Sequence, residues 1–160
     1  MSPVIIPIEP NLSAFLDMIA WSEIGPELLA KSDNGYNVLV GSTPAKPLLF
    51  TVYVTHPRIH NVQMNSDAAG RYQFMGKWWK SYQKLLHLPD FGPLSQDKWA
   101  IQLIRECKAL EDITAGRFER AVSKCSSRWA SLPGAGYGQR ENDIEKLAAA
   151  FKAAGGKVYG

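Results

Sequence analysis

The sequence predicts an α+β protein, mainly helical, with a small strand region set to one side. Two observations carry this reading. Apolar residues recur at helical spacing across residues 12–23 and again from residue 71 onward, while β-branched and aromatic strand patterns are confined to residues 36–54. At 160 residues the chain has the length of one domain and can bury a substantial core without a disulfide or metal staple. With no internal repeat or linker, residues 1–10 read as an extended, proline-stiffened lead and residues 11–160 as one folded domain.

The first helix is expected from Asn11, an N-cap residue type, with Leu12, Phe15, Leu16 and Ile19 on one face. It should stop at Gly25-Pro26, because proline pushes the residue before it out of the helical region. Residues 26–35 are rich in breakers and end in the turn signal Ser32-Asp33-Asn34-Gly35. Two short strands follow at residues 36–40 and 49–54, and residues 56–70 lack periodicity and read as a long surface connection. A helix apolar on much of its circumference is expected from Arg71 to Leu86, and a central place for it. After the break at residues 89–93, Ser95 is expected to cap a helix carrying Trp99, Leu103, Ile104 and Cys107. Phe118, Ala121, Val122 and Cys125 step along another face, residues 132–138 form a glycine-rich loop, and a last amphipathic helix closes at Gly155-Gly156.

Within this layout Glu23 stands out. At 100° per residue it falls about 20° from Leu12, on the middle of the apolar face of a helix about to end. A carboxyl held there at the edge of a core has its proton affinity raised by desolvation. Periodicity alone leaves open the alternative that Glu23 is an ordinary last-turn residue whose head reaches solvent or an arginine.

Composition excludes other functions. A formal charge of +3, with Lys and Arg interleaved with acids, leaves no footprint for duplex nucleic acid. The N-terminal stretch has no basic n-region, no apolar run is long enough to span a membrane, and the protein is expected to be soluble and initially cytoplasmic. Cys107 and Cys125 read as two buried or half-buried thiols of a protein made in a reducing compartment. His56 and His60 are four apart, but Pro57 disfavours a helix there, so a turn histidine and a solvent histidine are expected and no metal site. The glycines at 134, 136 and 138 miss the dinucleotide pattern, and no nucleophile elbow is present. What is left is one well-placed carboxylate, aromatic side chains and amide-bearing glycine-rich segments, a set suited to carbohydrate. At least three of the five tryptophans are assigned to packing.

Six segments carry a resemblance: A-F-L-D-M-I-A-W-S-E at 14–23, G-Y-N-V-L-V at 35–40, F-T-x-Y-x-x-H-P at 50–57, A-G-R-Y-Q at 69–73, D-F-G-P-L-S-Q-D at 90–97 and W-A-S-L-P-G-A-G-Y-G-Q at 129–139. In this order they resemble the single-domain endolysins of the bacteriophage lambda type, over nearly all of the chain after residue 10. The resemblance implies a lysozyme-like fold, with a mainly helical lobe, a small β-lobe and a cleft between them. It implies a lytic transglycosylase that cleaves the β-1,4 bond between N-acetylmuramic acid and N-acetylglucosamine in peptidoglycan, with Glu23 catalytic and no cofactor. Tyr72, Gln73 and Tyr137 fall in segments that resemble substrate-lining motifs. The family pattern usually has Asp where this chain has Val52 and Thr55, which removes two acids from the β-lobe.

A monomer is expected, with peptidoglycan glycan strands as its partner and a holin opening its way from the host cytoplasm to the periplasmic wall. Two alternatives stand beside this reading. One is a hydrolytic muramidase in which Asp33 or Asp67 supplies a second carboxylate. The other is a noncatalytic peptidoglycan-binding module, for which a buried-side acid has no evident use.

Overall fold

The computed structural model describes residues 9–134 and 142–159. Seven α-helices are among them: α1 (Pro10–Glu23), α2 (Pro26–Ala30), α3 (Trp79–Leu86), α4 (Pro93–Glu106), α5 (Leu110–Thr114), α6 (Phe118–Cys125) and α7 (Ile144–Ala153). The expected lead over residues 1–10 lies outside the described residues as far as residue 8.

Helix α1 begins earlier than the sequence suggests. Glu9 is the N-cap, its carboxylate accepting from the Leu12 amide at 2.9 Å, and Pro10 opens the first turn, where its missing N–H costs nothing. Asn11 is therefore inside the helix. It is buried, and its side chain donates to the carbonyls of Ile113 and Lys157 and accepts from the Lys157 amide. At the other end Gly25 adopts φ +89°, a left-handed conformation that suits glycine, and Pro26 starts α2 where a breaker-rich loop was expected. Phe15 of α1 meets Phe118 of α6 and Phe151 of α7 edge-on at 6.1 and 6.3 Å, so one ring locks three helices together.

The strand region is smaller than expected. Val38 bridges to Leu49, Leu39 to Ala69 and Ala69 to Phe74, and no ladder among the described residues extends beyond such isolated bridges. Prolines at 44 and 47 and the left-handed Gly41 interrupt pairing on one side, and the left-handed Gly70 and Gln73 interrupt it on the other. Residues 71–75 are consequently a tight turn and not the start of a helix, which begins with a 3₁₀ turn at Gly76–Trp78. Helix α3 is peripheral: only Trp79 is buried in it, while Trp78 is 52% exposed. The central places belong to α1 and α4. Trp99 of α4 stacks flat on Phe74, centroids 4.0 Å apart, and this contact seats the β-region on the helical body.

Other caps and loops also differ from expectation. Helix α4 is preceded by Gly92, and Asp90 Oδ1 accepts both the Gly92 amide and the Ser95 hydroxyl, so Asp90 does the work expected of Ser95. The connection over residues 56–70 is not wholly superficial. His56 is buried, its Nε2 bonding the Phe74 carbonyl at 2.7 Å and its Nδ1 accepting from the Arg58 amide, and desolvation first of all holds its pKa down. Helix α7 closes as expected: the amides of Gly155 and Gly156 reach back to Lys152 and Phe151. Trp79, Trp99 and Trp129 are all buried, Trp21 is half-buried.

Candidate active site

Glu23 is the last residue of α1 and is half-buried. Loss of hydration is the largest influence on it and pushes its pKa from 4.5 up to about 7; hydrogen bonds from the Ser131 side chain and backbone act in the opposite sense and are outweighed. Ser131 Oγ donates to Glu23 Oε2. Ser131 Oγ in turn lies 2.7 Å from Ser22 Oγ, and Asn142 Nδ2 donates to Ser22 Oγ at 2.9 Å and to the Ser22 carbonyl at 3.1 Å. Since Asn142 Nδ2 can only donate, the consistent direction runs from Asn142 to Ser22 to Ser131 to Glu23, every donor aimed at the carboxylate. The Asn142 amide also donates to the Ser131 carbonyl at 2.7 Å, a clasp across the two sides of segment 132–141.

A second carboxyl, Asp97 on α4, is also raised to about 7, again chiefly by desolvation. Its Oδ1 accepts from Tyr72 at 2.6 Å and from Tyr36 at 2.9 Å, and its Oδ2 has no hydrogen-bond partner among the described residues. Exposure separates the two acids. Asp97 has 0% of its surface exposed, so no polymer can reach it, whereas Glu23 is a half-buried residue.

Arg71 completes the buried assembly beneath the β-region. It is 2% exposed and donates to Asp17 of α1 at 2.8 Å, to the Tyr72 hydroxyl at 2.9 Å and to the Asn34 carbonyl at 3.0 Å. Tyr72 was expected to line substrate. It is buried, its hydroxyl donates to Asp97, and it is among the residues that line the cavity beside Gln73. Gln73 is half-buried at φ +53°, with its amide nitrogen held by the carbonyls of Val38 and Gly70. It borders a cavity of about 150 Å³ together with Tyr72, Met75, Trp78, Tyr82, Arg128 and Trp129. Glu23 is not in that wall, but Trp129 stands two residues before Ser131, and its indole donates to the Tyr72 carbonyl at 3.1 Å. Tyr137 and residues 135–138 of the glycine-rich loop lie outside the described residues.

The other acids have structural work. Asp33 accepts the Tyr53 hydroxyl at 2.6 Å, and Asp67 accepts the Gly76 amide at 3.0 Å, ahead of the 3₁₀ turn. Thr55 accepts the Trp79 indole at 2.7 Å. Ser22, Ser131 and Asn142 were not among the residues the sequence singled out. Ser22 is a polar neighbour of Glu23, but no spacing rule joins residue 131 or 142 to residue 23.

The family model described as Endolysin matches residues 13–158. The chain is 49% identical to the endolysin of Escherichia phage P2, over 95% of this chain and 97% of that protein. It is 47% identical to the endolysin of Escherichia phage lambda, over 96% of each. Among solved structures, bacteriophage lambda lysozyme complexed with a chitohexasaccharide superposes with a TM-score of 0.87 at 46% identity, covering 97% of this chain and all of that one. Another structure of lysozyme from bacteriophage lambda gives 0.82 at 43% identity, with the same coverage.

Proposed function

This chain belongs to the endolysin family and is a peptidoglycan-degrading enzyme of lysozyme-like fold, and from that premise we propose that Glu23 alone serves as acid and then base in a lytic transglycosylase reaction. The observation that carries the reading is the pairing of chemistry with access. Of the two carboxyls whose pKa is raised to about 7, Asp97 belongs to a fully buried residue and Glu23 to a half-buried one at the end of a helix.

A group with that pKa is substantially protonated near neutrality and can act as a general acid. Glu23 gives its proton to the glycosidic oxygen linking N-acetylmuramic acid to N-acetylglucosamine. The bond to the anomeric carbon breaks, its electron pair stays on the leaving oxygen, and positive charge develops at that carbon. The Glu23 carboxylate, steadied by Ser131, takes the proton of the muramic acid C6 hydroxyl, whose oxygen bonds to the same carbon. The product ends in a 1,6-anhydro ring, Glu23 is protonated again, and no water is consumed.

The structural commitments of Asp33 and Asp67 favour this one-carboxylate course over hydrolysis. Tyr72, Gln73 and Tyr137 are the candidate substrate contacts, and Tyr72 and Gln73 both line the cavity. We place the catalytic unit in residues 11–160, acting as a monomer on glycan strands after release from the host cytoplasm through a holin lesion; no helix among the described residues is long and apolar enough to cross a membrane. Mass spectrometry of muropeptides from digested, purified peptidoglycan tests the chemistry. Anhydro ends are expected, and reducing ends, heavier by one water, would overturn the transglycosylase in favour of a muramidase.

Ser131 supplies a second test. Removing a donor to the charged form raises a carboxyl pKa, and a hydrogen bond to a charged group is worth about 1.5–3 kcal/mol, or roughly one to two pH units. Ser131→Ala is expected to move the alkaline limb of the pH–rate profile upward and to lower the rate by roughly ten- to a hundredfold through misplacement of the acid. Ser131→Thr should restore much of both. An unshifted limb in turbidity-clearing assays would remove Ser131 from the site.

A further inference from the structure

Helix α3 is held to the body by one side. Trp79, its buried residue, donates its indole N–H to Thr55 at 2.7 Å, and Tyr82 stacks on Trp99 with centroids 5.3 Å apart. The other side faces outward. Trp78, the N-cap, and Leu85, two helical turns further on, share one edge and are 52% and 59% exposed. Lys77, Lys80 and Lys84 are exposed beside that edge, and the Lys77 ammonium lies 5.4 Å from the centre of the Trp78 ring.

The charge of this stretch is of one sign. Residues 68–89 contain no Asp or Glu, and Arg71 among them is buried. The acids that border it are engaged elsewhere. Asp67 accepts the Gly76 amide and faces Arg58 at 3.9 Å, Asp90 accepts from Gly92 and Ser95 ahead of α4, and Glu106, which the Tyr82 hydroxyl reaches at 2.6 Å, is paired with Arg128. No ion pair among the described residues uses Lys77, Lys80 or Lys84.

We propose that this outer edge of α3 is an adsorption surface for an anionic phospholipid bilayer.

Tryptophan and leucine along one edge with lysines beside them suit a helix lying in a membrane interface. The apolar side chains enter the headgroup boundary, and the ammonium groups meet lipid phosphates. A glycan strand fits this edge less well. Sugars are gripped in concave sites, whereas this is the outer side of a helix. Leu85 offers no flat face to a sugar ring, and the Trp78 ring is shared with the Lys77 ammonium. The eight residues of α3 span about 12 Å, so the helix lies on a bilayer and does not cross it.

The surface does not depend on the chemistry proposed for Glu23, and its test involves no turnover. The purified full chain is sedimented with vesicles of phosphatidylcholine alone and with vesicles that also contain phosphatidylglycerol. Binding is expected to the anionic vesicles only, and it should fall steeply as added salt shortens the range of the lysine charges. Lys77→Gln, Lys80→Gln and Lys84→Gln together should weaken it on the order of a hundredfold, roughly fivefold per lysine. Leu85→Ser should weaken it severalfold at unchanged net charge, with a near-ultraviolet circular dichroism spectrum confirming that each variant is folded. Failure to pellet with anionic vesicles, equal pelleting with neutral ones, or a triple variant that binds like the wild type would overturn the proposal. A triple variant that loses affinity for isolated cell walls alone would also overturn it, and would assign the edge to the glycan polymer.

Discussion

Glu23→Gln is expected to lower the rate of cell-wall clearing by at least about a thousandfold, because in the proposed mechanism one side chain performs both proton transfers and general acid–base groups are worth roughly 10²–10⁴ each. Glutamine keeps an oxygen for Ser131 to bond, so the loss should come without a change in fold. In the wild type, activity that depends on protonated Glu23 should fall as pH rises through about 7. A variant that still cleared permeabilised cells at near the wild-type rate would end the assignment.

The same substitution has a stability signature of opposite sense. The Glu23 pKa is raised on folding, so between 4.5 and about 7 the native state binds more protons than the unfolded chain and stability declines as pH rises across that window. Above it the ionised, desolvated carboxylate costs at most about 3 kcal/mol, less for its residual contact with water. Glu23→Gln is therefore expected to raise the thermal midpoint on the order of 5 °C at pH 8 and to change it little at pH 4.5. Asp97 and His56 titrate in both proteins and cancel in the comparison. Equal midpoint differences at the two pH values would show that Glu23 is not desolvated.

Arg71→Met should be the most damaging single change to the fold. The guanidinium joins Asp17 on α1, the Asn34 carbonyl and, through Tyr72, the Asp97 carboxyl on α4, so it ties the β-region to both central helices. Removing one partner of a buried ion pair costs about 3–5 kcal/mol. For a chain of this size that is a drop in thermal midpoint on the order of 10 °C. Calorimetry checks it, and a loss under 1 kcal/mol would mean the network contributes little.

How far the sequence reveals this molecule depends on the range of the interactions. The face of α1 was legible because Leu12, Phe15, Leu16 and Ile19 obey a local period, and Glu23 was conspicuous for obeying it too. Its start was misplaced because Glu9 reaches the Leu12 amide with a longer side chain than the usual caps. Residues 71–75 mimic a helix in spacing, yet Phe74 stacks on Trp99 and the Tyr72 carbonyl accepts the Trp129 indole in a turn, and nothing local announces that Gln73 will take a positive φ. The support of the acid was least legible of all. Ser131 comes to it from 108 residues away, and Asn142 reaches Ser22 from 120 residues away.

The bond between Asn11 and Lys157 also sets a schedule. Residues 11 and 157 are 146 positions apart, and α1 packs against α5 and α7. At roughly 5–20 residues per second, roughly 7 to 30 s of translation separate them. Glu23 leaves the ribosome early, but Ser131, Asn142 and α7 must all be made before its surroundings exist. A nascent chain thus carries Glu23 in an ordinary, solvated state until Ser131 and Asn142 have been made and can fold back on the end of α1.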